Sequence, residues 1–477
     1  MSETIRGLAS KGIVWSGIER FSIQGVHFLV QVILARLLTP DDYGLVGLLV
    51  VFINLAQTLV DSGFANALIQ KQNCTDRDYS TVFIYNCAIS IIVYFILFVS
   101  APYIADFYKE EELTSVLRFL SIIVVLNSLS IIQRTRLIKK VDFQTQAKIT
   151  LSSALLSGII GIVLAYNGLG AWSLCWQQVS NSIIQFILFL LLLRWLPSLV
   201  FDLQSFKSLF KFGYKLVFAS IINAIYKNLY TIVIGKKYTS ESVGYYSRAE
   251  QFVVFPSANL GALIVRVIYP ILSIVQNDNE KLKSIYRDSI KLSSYIIFPL
   301  MIGLLSLSEP LVLFLLTDKW IIMVPIMQIL CLDWMLDHIS MLNLNLLMVK
   351  GRTDLSLKLE IIKKVIAIVI LFVTLPFGLI VMCWGRVLYS VLATYLNTIY
   401  TNKLISLSFL QQMRDIIPSM IASFAMGGIV YLSKAIFVSP FWQLIIGFIV
   451  GFLFYYVVSL LFFKDIIKKV MSLVKKS

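Results

Sequence analysis

Long apolar stretches, separated by short polar segments, make up most of this chain. Each is close to the length of about 20 residues that a helix needs to cross a bilayer. About 14 can be distinguished: 13–35, 43–68, 79–105, 113–134, 149–168, 170–193, 212–235, 243–272, 289–316, 322–349, 357–376, 379–402, 415–437 and 441–463. Backbone polar groups in hydrocarbon must pair internally, and continuous apolarity is not the alternating pattern of a barrel. The pattern predicts an all-α polytopic membrane protein.

Composition and charge agree with this prediction. Hydrophobic residues make up 58% of the 477 residues and charged residues 14%. Placing the N-terminus in the cytoplasm puts 29 of the 41 Lys and Arg residues in tails and loops on that side and 6 on the other. By the positive-inside rule both termini are cytoplasmic. Topology and anionic lipid therefore account for the net charge of +15, and no nucleic-acid partner is expected.

The chain offers little for enzyme or metal chemistry. The first apolar stretch contains Glu19 and Arg20, so it is expected to remain as a helix and not to be cleaved as a signal peptide. The five cysteines have no paired spacing, and there are only two histidines, so neither disulfides nor a metal site is expected. Every loop is short, and none carries a nucleotide-binding glycine motif. No cofactor is predicted.

A weak internal repeat divides the chain. Residues 32–44 (VILARLLTPDDYG) align with residues 232–244 (IVIGKKYTSESVG) at an offset of 200. Six spans, a cytoplasmic connection and six more spans predict parallel repeats that enclose a central cavity. We expect an N-terminal six-helix lobe at 1–200, a C-terminal six-helix lobe at 201–406, and a further helix pair with a basic tail at 407–477.

Polar and charged residues inside the spans follow helical spacing. Arg20, Gln24 and His27 lie on one face of the first span, and Asn223 and Lys227 lie on one face of its counterpart in the second half. The eighth span adds two cations, Arg248 and Arg266. A cation at depth is costly unless it contacts water, a counter-ion or a ligand. These seven residues are therefore the predicted binding site for an anionic cargo.

Local pairing, or a position near the membrane surface, is the alternative for three of these cations. Arg20 has Glu19 beside it, Arg248 has Glu250 nearby, and Arg266 is close enough to a membrane surface to extend its head group into water. The acids within the spans are nearly as numerous as the cations. Total charge alone therefore does not establish an anion site.

Three acidic residues are candidates for coupling transport to sodium or protons. Asp333 and Asp337 are one helical turn apart in the tenth span, and Asp61 is on the polar face of the second. Neighbouring carboxylates repel each other when both are ionised, which favours proton or cation binding. A helix end near water, or pairing with a cation from the other lobe, is the simpler explanation for the first two.

Three motifs near the N-terminus resemble a known family. LARLLTPDDYG at 34–44, DSGF at 61–64 and ALIQ at 67–70 are similar to the bacterial polysaccharide transporters that include the Wzx-type flippases. This family belongs to the multidrug/oligosaccharidyl-lipid/polysaccharide exporter superfamily. The resemblance implies a V-shaped pair of six-helix lobes in the inner membrane. The helices after residue 414 resemble the added pair of 14-span members such as lipid II flippases.

The resemblance also implies a cargo. The family moves polyprenyl-diphosphate-linked sugar units to the periplasmic leaflet for O-antigen, capsule or exopolysaccharide assembly, in some cases with other polysaccharide-assembly proteins. Cations such as Arg20, Lys227 and Arg248 suit the diphosphate, and polar side chains suit the glycan. Two alternatives remain. A multidrug cation antiporter of the same superfamily would favour a carboxylate-lined cavity, and a membrane-embedded glycosyl- or acyltransferase would need a larger donor-binding loop.

Overall fold

Every regular secondary-structure element in the described part of the chain is a helix. The computed structural model describes residues 22–61, 63–198 and 200–464, without the side chains of 211–216, 218 and 219. Its helices are α1 (Ser22–Leu37), α2 (Pro40–Asp61), α3 (Phe64–Gln70), α4 (Asp76–Tyr108), α5 (Glu112–Leu120), α6 (Ile122–Lys139), α7 (Phe143–Tyr166), α8 (Ala171–Leu193), α9 (Leu203–Lys237), α10 (Ser240–Ile274), α11 (Asn279–Ser306), α12 (Ser308–Leu315), α13 (Met323–Met335), α14 (Asp337–Val349), α15 (Thr353–Thr374), α16 (Leu379–Ile405), α17 (Phe409–Ser433) and α18 (Pro440–Phe462). The all-α prediction is confirmed.

Ten helical segments in the described residues are long and apolar enough to cross a membrane. They are Pro40–Gln70, Asp76–Tyr108, Glu112–Lys139, Phe143–Tyr166, Ala171–Leu193, Ser240–Ile274, Asn279–Ser306, Leu379–Ile405, Phe409–Ile436 and Pro440–Phe462. Each overlaps one of the predicted stretches. The other four predicted stretches overlap α1, α9, the α13–α14 pair and α15, which are outside these ten. The chain is therefore a multi-pass membrane protein, and the number of 14 spans stays a prediction.

Local sequence signals set several helix ends. Thr75 begins α4 with a capping box, in which its side chain accepts a hydrogen bond from the Asp78 backbone N–H while the Asp78 carboxylate accepts one from Thr75. Ser408 and Gln411 form the same arrangement at the start of α17. These caps satisfy backbone donors that a helix terminus would otherwise leave unpaired, which stabilises the first turns of both helices.

The chain forms two compact units, the first ending at Gly244 and the second beginning at Tyr245. In the first unit α7 packs on α8, α4 on α6, and α2 on α9. In the second, α11 packs along α17, α15 along α16, and α17 along α18. The helix pair predicted to be an addition is thus joined closely to the second unit through α11. The predicted lobe boundaries at 200 and 406 stay predictions.

The repeat found in the sequence has the same local structure in both copies. In each copy a helix ends two residues before a Thr, and the next helix begins immediately after that Thr, at Pro40 in the first copy and Ser240 in the second. From residue 34 to 50, buried, half-buried and exposed positions recur 200 residues later with one difference, at Leu38 and Tyr238. The aligned residues therefore occupy equivalent environments.

The two repeated turns also contact each other reciprocally. A Cβ added to Gly44 would lie 1.7 Å from the Ser240 carbonyl oxygen, and one added to Gly244 would lie 1.9 Å from the Pro40 carbonyl oxygen. The Ser240 hydroxyl donates to the Asp41 carboxylate beside this contact. Glycine at both positions is what allows the backbones to approach so closely.

Replacing Asp415 with asparagine is expected to destabilise the packing of α11 against α17. The Asp415 carboxylate accepts hydrogen bonds from Arg287 Nε at 2.7 Å and Nη2 at 2.8 Å, and Lys291 Nζ lies 3.2 Å away. The Asp415 side chain is 4% exposed. Losing bonds to charged groups costs about 1.5–3 kcal/mol, and the partial exposure of both cations favours the lower end.

A thermal-shift measurement on purified protein in detergent checks this expectation. Asp354→Asn is the matched control, because Asp354 makes a similar two-pronged pair with Arg352 at 3.0 and 2.9 Å but is 62% exposed. Exposed pairs contribute little. Equal falls in Tm for the two variants would show that burial does not set the strength of the Asp415 contact.

Candidate functional site

The predicted anion-binding residues of the first unit lie on α1 and α9. His27 is exposed on α1 and Gln24 is half-buried one turn before it. Lys227 and Asn223 are exposed on α9. His27 and Lys227 are equivalent positions of the repeat, so the same face is open in both copies. Arg20, which was predicted to continue the α1 stripe, lies outside the described residues.

Lys227 lies in an environment that suits a ligand. It is exposed on a helix whose sequence is largely apolar, and it forms no ion pair within ranges 22–61, 63–198 and 200–464. A lysine in hydrocarbon with no counter-ion would be costly. The geometry therefore leaves its ammonium group available to water or to an anion.

The two cations of α10 differ in environment. Arg248 is 8% exposed, and its Nη1 donates to the Gln251 side-chain oxygen at 2.5 Å. Arg266 is exposed and forms no ion pair with any residue that the structure describes. Among the α10 candidates, Arg266 is thus the more accessible, although its sequence position had suggested an end close to the membrane surface. Glu250, the partner considered for Arg248, instead pairs with Arg386.

Arg386 forms a cluster with two carboxylates in the second unit. Its guanidinium bridges Glu250 on α10 and Asp333 on α13, with N···O distances of 2.5 and 2.8 Å, and it also contacts the Tyr246 hydroxyl. No spacing pattern along the chain indicates this cluster, because Glu250 and Asp333 are 136 and 53 residues away from Arg386. The partner of Asp333 thus comes from its own unit.

A break between α13 and α14 lies beside this cluster. The carbonyl of Asp333 accepts a hydrogen bond from the Ser390 hydroxyl at 2.9 Å, and that of Trp334 accepts one from the Ser257 hydroxyl at 2.9 Å. Hydroxyl side chains commonly satisfy backbone groups that a helix break leaves free. The break separates Asp333 from Asp337, which is half-buried at the start of α14.

Asp61 belongs to a polar network in the first unit. Gln57, one turn earlier on α2, donates to its carboxylate at 3.4 Å, and Asn127 on α6 donates to the Gln57 side-chain oxygen at 3.2 Å. Asp61 itself is exposed. The network holds an acidic side chain at an accessible position, as an ion-coupling residue requires.

Metal ligands are not grouped in the described part of the chain. No set of three or more His, Cys, Asp or Glu residues there could hold a metal ion. The five cysteines are all described and all free.

Comparison with protein families gives one match over more than half of the chain. The model of a family described as "Polysaccharide biosynthesis protein" matches residues 33–325. This range begins just before the first repeated turn and includes Lys227, Arg248 and Arg266. The match thus covers nearly all of both copies of the repeat and four of the seven predicted anion-binding residues.

Three curated proteins are similar to the chain. The teichuronic acid biosynthesis protein TuaB of Bacillus subtilis is 29% identical over 72% of this chain and 72% of its own length. The lipopolysaccharide biosynthesis protein WzxC of Escherichia coli is 28% identical over 76% of this chain and 74% of its own length. The succinoglycan biosynthesis transport protein ExoT of Rhizobium meliloti is 25% identical over 68% and 66%.

Two solved structures share the fold. The lipid II flippase MurJ in an inward closed conformation has a TM-score of 0.75 and 17% identity, covering 95% of this chain and all of MurJ. An inward-facing multidrug resistance transporter of the MATE family has a TM-score of 0.61 and 16% identity, covering 83% and 98%. At these identities the likeness establishes the fold alone.

Proposed function

Because this chain belongs to the polysaccharide biosynthesis protein family, we propose that it is a flippase for polyprenyl-diphosphate-linked oligosaccharides. It would move the repeat unit across a bacterial inner membrane for lipopolysaccharide O-antigen, capsule or exopolysaccharide assembly. The observation that carries this proposal is the family match over residues 33–325. The names of TuaB, WzxC and ExoT, all biosynthesis or transport proteins of polysaccharides, support it.

The cargo has three parts, and the chain has side chains suited to them. The diphosphate is anionic, and we assign its binding to Lys227 and Arg266, with Arg20, Arg248 and His27 as further contacts. Lys227 and Arg266 are the primary assignments because they are exposed and form no ion pair with a described residue. Gln24 and Asn223 suit the hydroxyl groups of the sugars. The polyprenyl tail would remain in lipid.

The proposed architecture has about 14 spans and works by alternating access. Two six-helix lobes would enclose the cavity, the last helix pair would be added outside them, and both termini would lie in the cytoplasm. The distribution of Lys and Arg along the sequence supports this orientation. No chemical step on the cargo is needed, so we propose a transporter and not an enzyme, without a cofactor.

Coupling to sodium or protons would involve Asp61 or Asp337. Asp61 is exposed and accepts a hydrogen bond from Gln57, which is bonded in turn to Asn127 on α6. Asp337 is half-buried and is not bridged by Arg386. Asp333, the third candidate, already contacts a cation.

Reconstitution tests the proposal directly. Purified protein in liposomes that contain a fluorescent polyprenyl-diphosphate oligosaccharide is expected to make the inner-leaflet lipid accessible to a membrane-impermeant quencher. Liposomes without protein, and liposomes with the same lipid lacking its diphosphate, are the controls. Accumulation of a cationic drug without lipid translocation would instead support the multidrug antiporter. Transfer of labelled sugar onto the lipid would support an enzyme.

A further inference from the structure

One guanidinium in the second unit lies between carboxylates from two other helices. Arg386 Nη1 is 2.5 Å from Glu250 Oε1, and Arg386 Nε and Nη2 are 2.9 and 2.8 Å from Asp333 Oδ2. The Tyr246 hydroxyl contacts Nη1 as well. The arrangement joins α10, α13 and α16 through one side chain.

The side chains of this cluster are largely buried, and Asp333 lies in the last turn of α13. The side chains of Arg386 and Asp333 are 12% and 10% exposed, and that of Glu250 is 29% exposed. At 1.5 Å per residue, Arg386 is about 10 Å and Glu250 about 15 Å from the N-terminal ends of α16 and α10. Carboxylates buried to this extent need a cation, a proton or water. Here the protein supplies the cation.

The other titratable side chains discussed for this region lie on α14 and α15. Asp337 on α14 is half-buried, and Lys363 on α15 pairs with Glu360 at 2.5 Å. His338, also on α14, is buried and exchanges a hydrogen bond of 3.0 Å with Ser294 on α11. Asp337 therefore forms an ion pair with neither Arg386 nor Lys363.

We propose that Arg386 is a resident counter-cation that takes, between Glu250 and Asp333, the place of a diffusible sodium ion or proton. Any ion dependence of this protein then arises at another carboxylate, Asp337 or Asp61, and not at Asp333. This inference deepens the proposed function, since it rests on the chain being an ion-responsive transporter. Its test measures ion-dependent stability and not lipid translocation, so the two proposals fail separately.

The first comparison uses the ion response of full-length protein in detergent. Tm is measured with sodium chloride and with N-methyl-D-glucamine chloride at equal ionic strength, and across a pH series. Wild type and Asp333→Asn are expected to show the same sodium-dependent and pH-dependent shifts in Tm. A shift that is present in wild type, absent in Asp333→Asn and retained in both Asp337→Asn and Asp61→Asn would overturn the proposal.

The second comparison removes the resident cation. The Tm of Arg386→Ala is expected to be several degrees below that of wild type. Adding sodium or methylguanidinium should restore part of this loss. Neither cation should raise the Tm of wild type by the same amount. Adding Asp333→Asn to Arg386→Ala should remove that recovery. A folded Arg386→Ala variant that neither cation stabilises would overturn the assignment. If Arg386→Ala cannot be purified, the comparison of wild type with Asp333→Asn decides.

Discussion

Replacing Gly44 with alanine is expected to abolish polymer export and to lower the yield of folded protein. The new Cβ would lie 1.7 Å from the Ser240 carbonyl oxygen, a backbone atom that cannot turn away. Overpacking in a close contact costs about 1–3 kcal/mol, and a backbone obstacle favours the upper end. Gly244→Ala, which meets the Pro40 carbonyl oxygen at 1.9 Å, should have the same effect.

Three measurements check this expectation. They are the yield and dispersity of the protein in size-exclusion chromatography, its Tm in detergent, and polymer export in cells. Gly428→Ala is the matched control, because a Cβ at this helical position meets no atom within 4 Å. The double variant Gly44→Ala, Gly244→Ala should cost less than the sum of the single variants, since both disturb one contact. Wild-type Tm and export in Gly44→Ala would refute the close approach of the two turns.

The repeated turn shows how much of the fold the sequence could predict. The offset of 200, the pairing of Gly44 with Gly244 and the long apolar stretches are local patterns, and the structure reproduces them as matching helix ends and matching burial. The reciprocal packing of these turns depends on tertiary structure. No spacing rule indicated it.

The contacts of the charged residues could not be predicted from the sequence. Helical spacing identified exposed Lys227 and Arg266, but it could not distinguish them from Arg248, which is buried against Gln251. It also predicted a coupling role for Asp333 without finding Arg386, since their contact joins α13 to α16. A single sequence shows which face of a helix is polar, and packing decides which helix meets that face.

Neutralising Lys227 is expected to reduce polymer export to below about a tenth of wild type. If its ammonium group binds the diphosphate, the loss of one charge-assisted contact would cost about 1.5–3 kcal/mol, or roughly one to two factors of ten in binding. Lys227→Arg should retain much of the activity, because it keeps the charge on the same face of α9. Surface polysaccharide in a strain that lacks its own flippase provides the measurement.

A second lysine separates a specific contact from a general effect of charge. Lys358 is exposed on α15 and, like Lys227, forms no ion pair with a described residue, but it lies at the very start of the predicted span 357–376 and is not among the predicted cargo-binding residues. Lys358→Ala should export normally at equal membrane abundance. Normal polymer export in Lys227→Ala and in the double variant Lys227→Ala, Arg266→Ala would contradict the assignment of these two residues to the diphosphate. It would not affect the family membership.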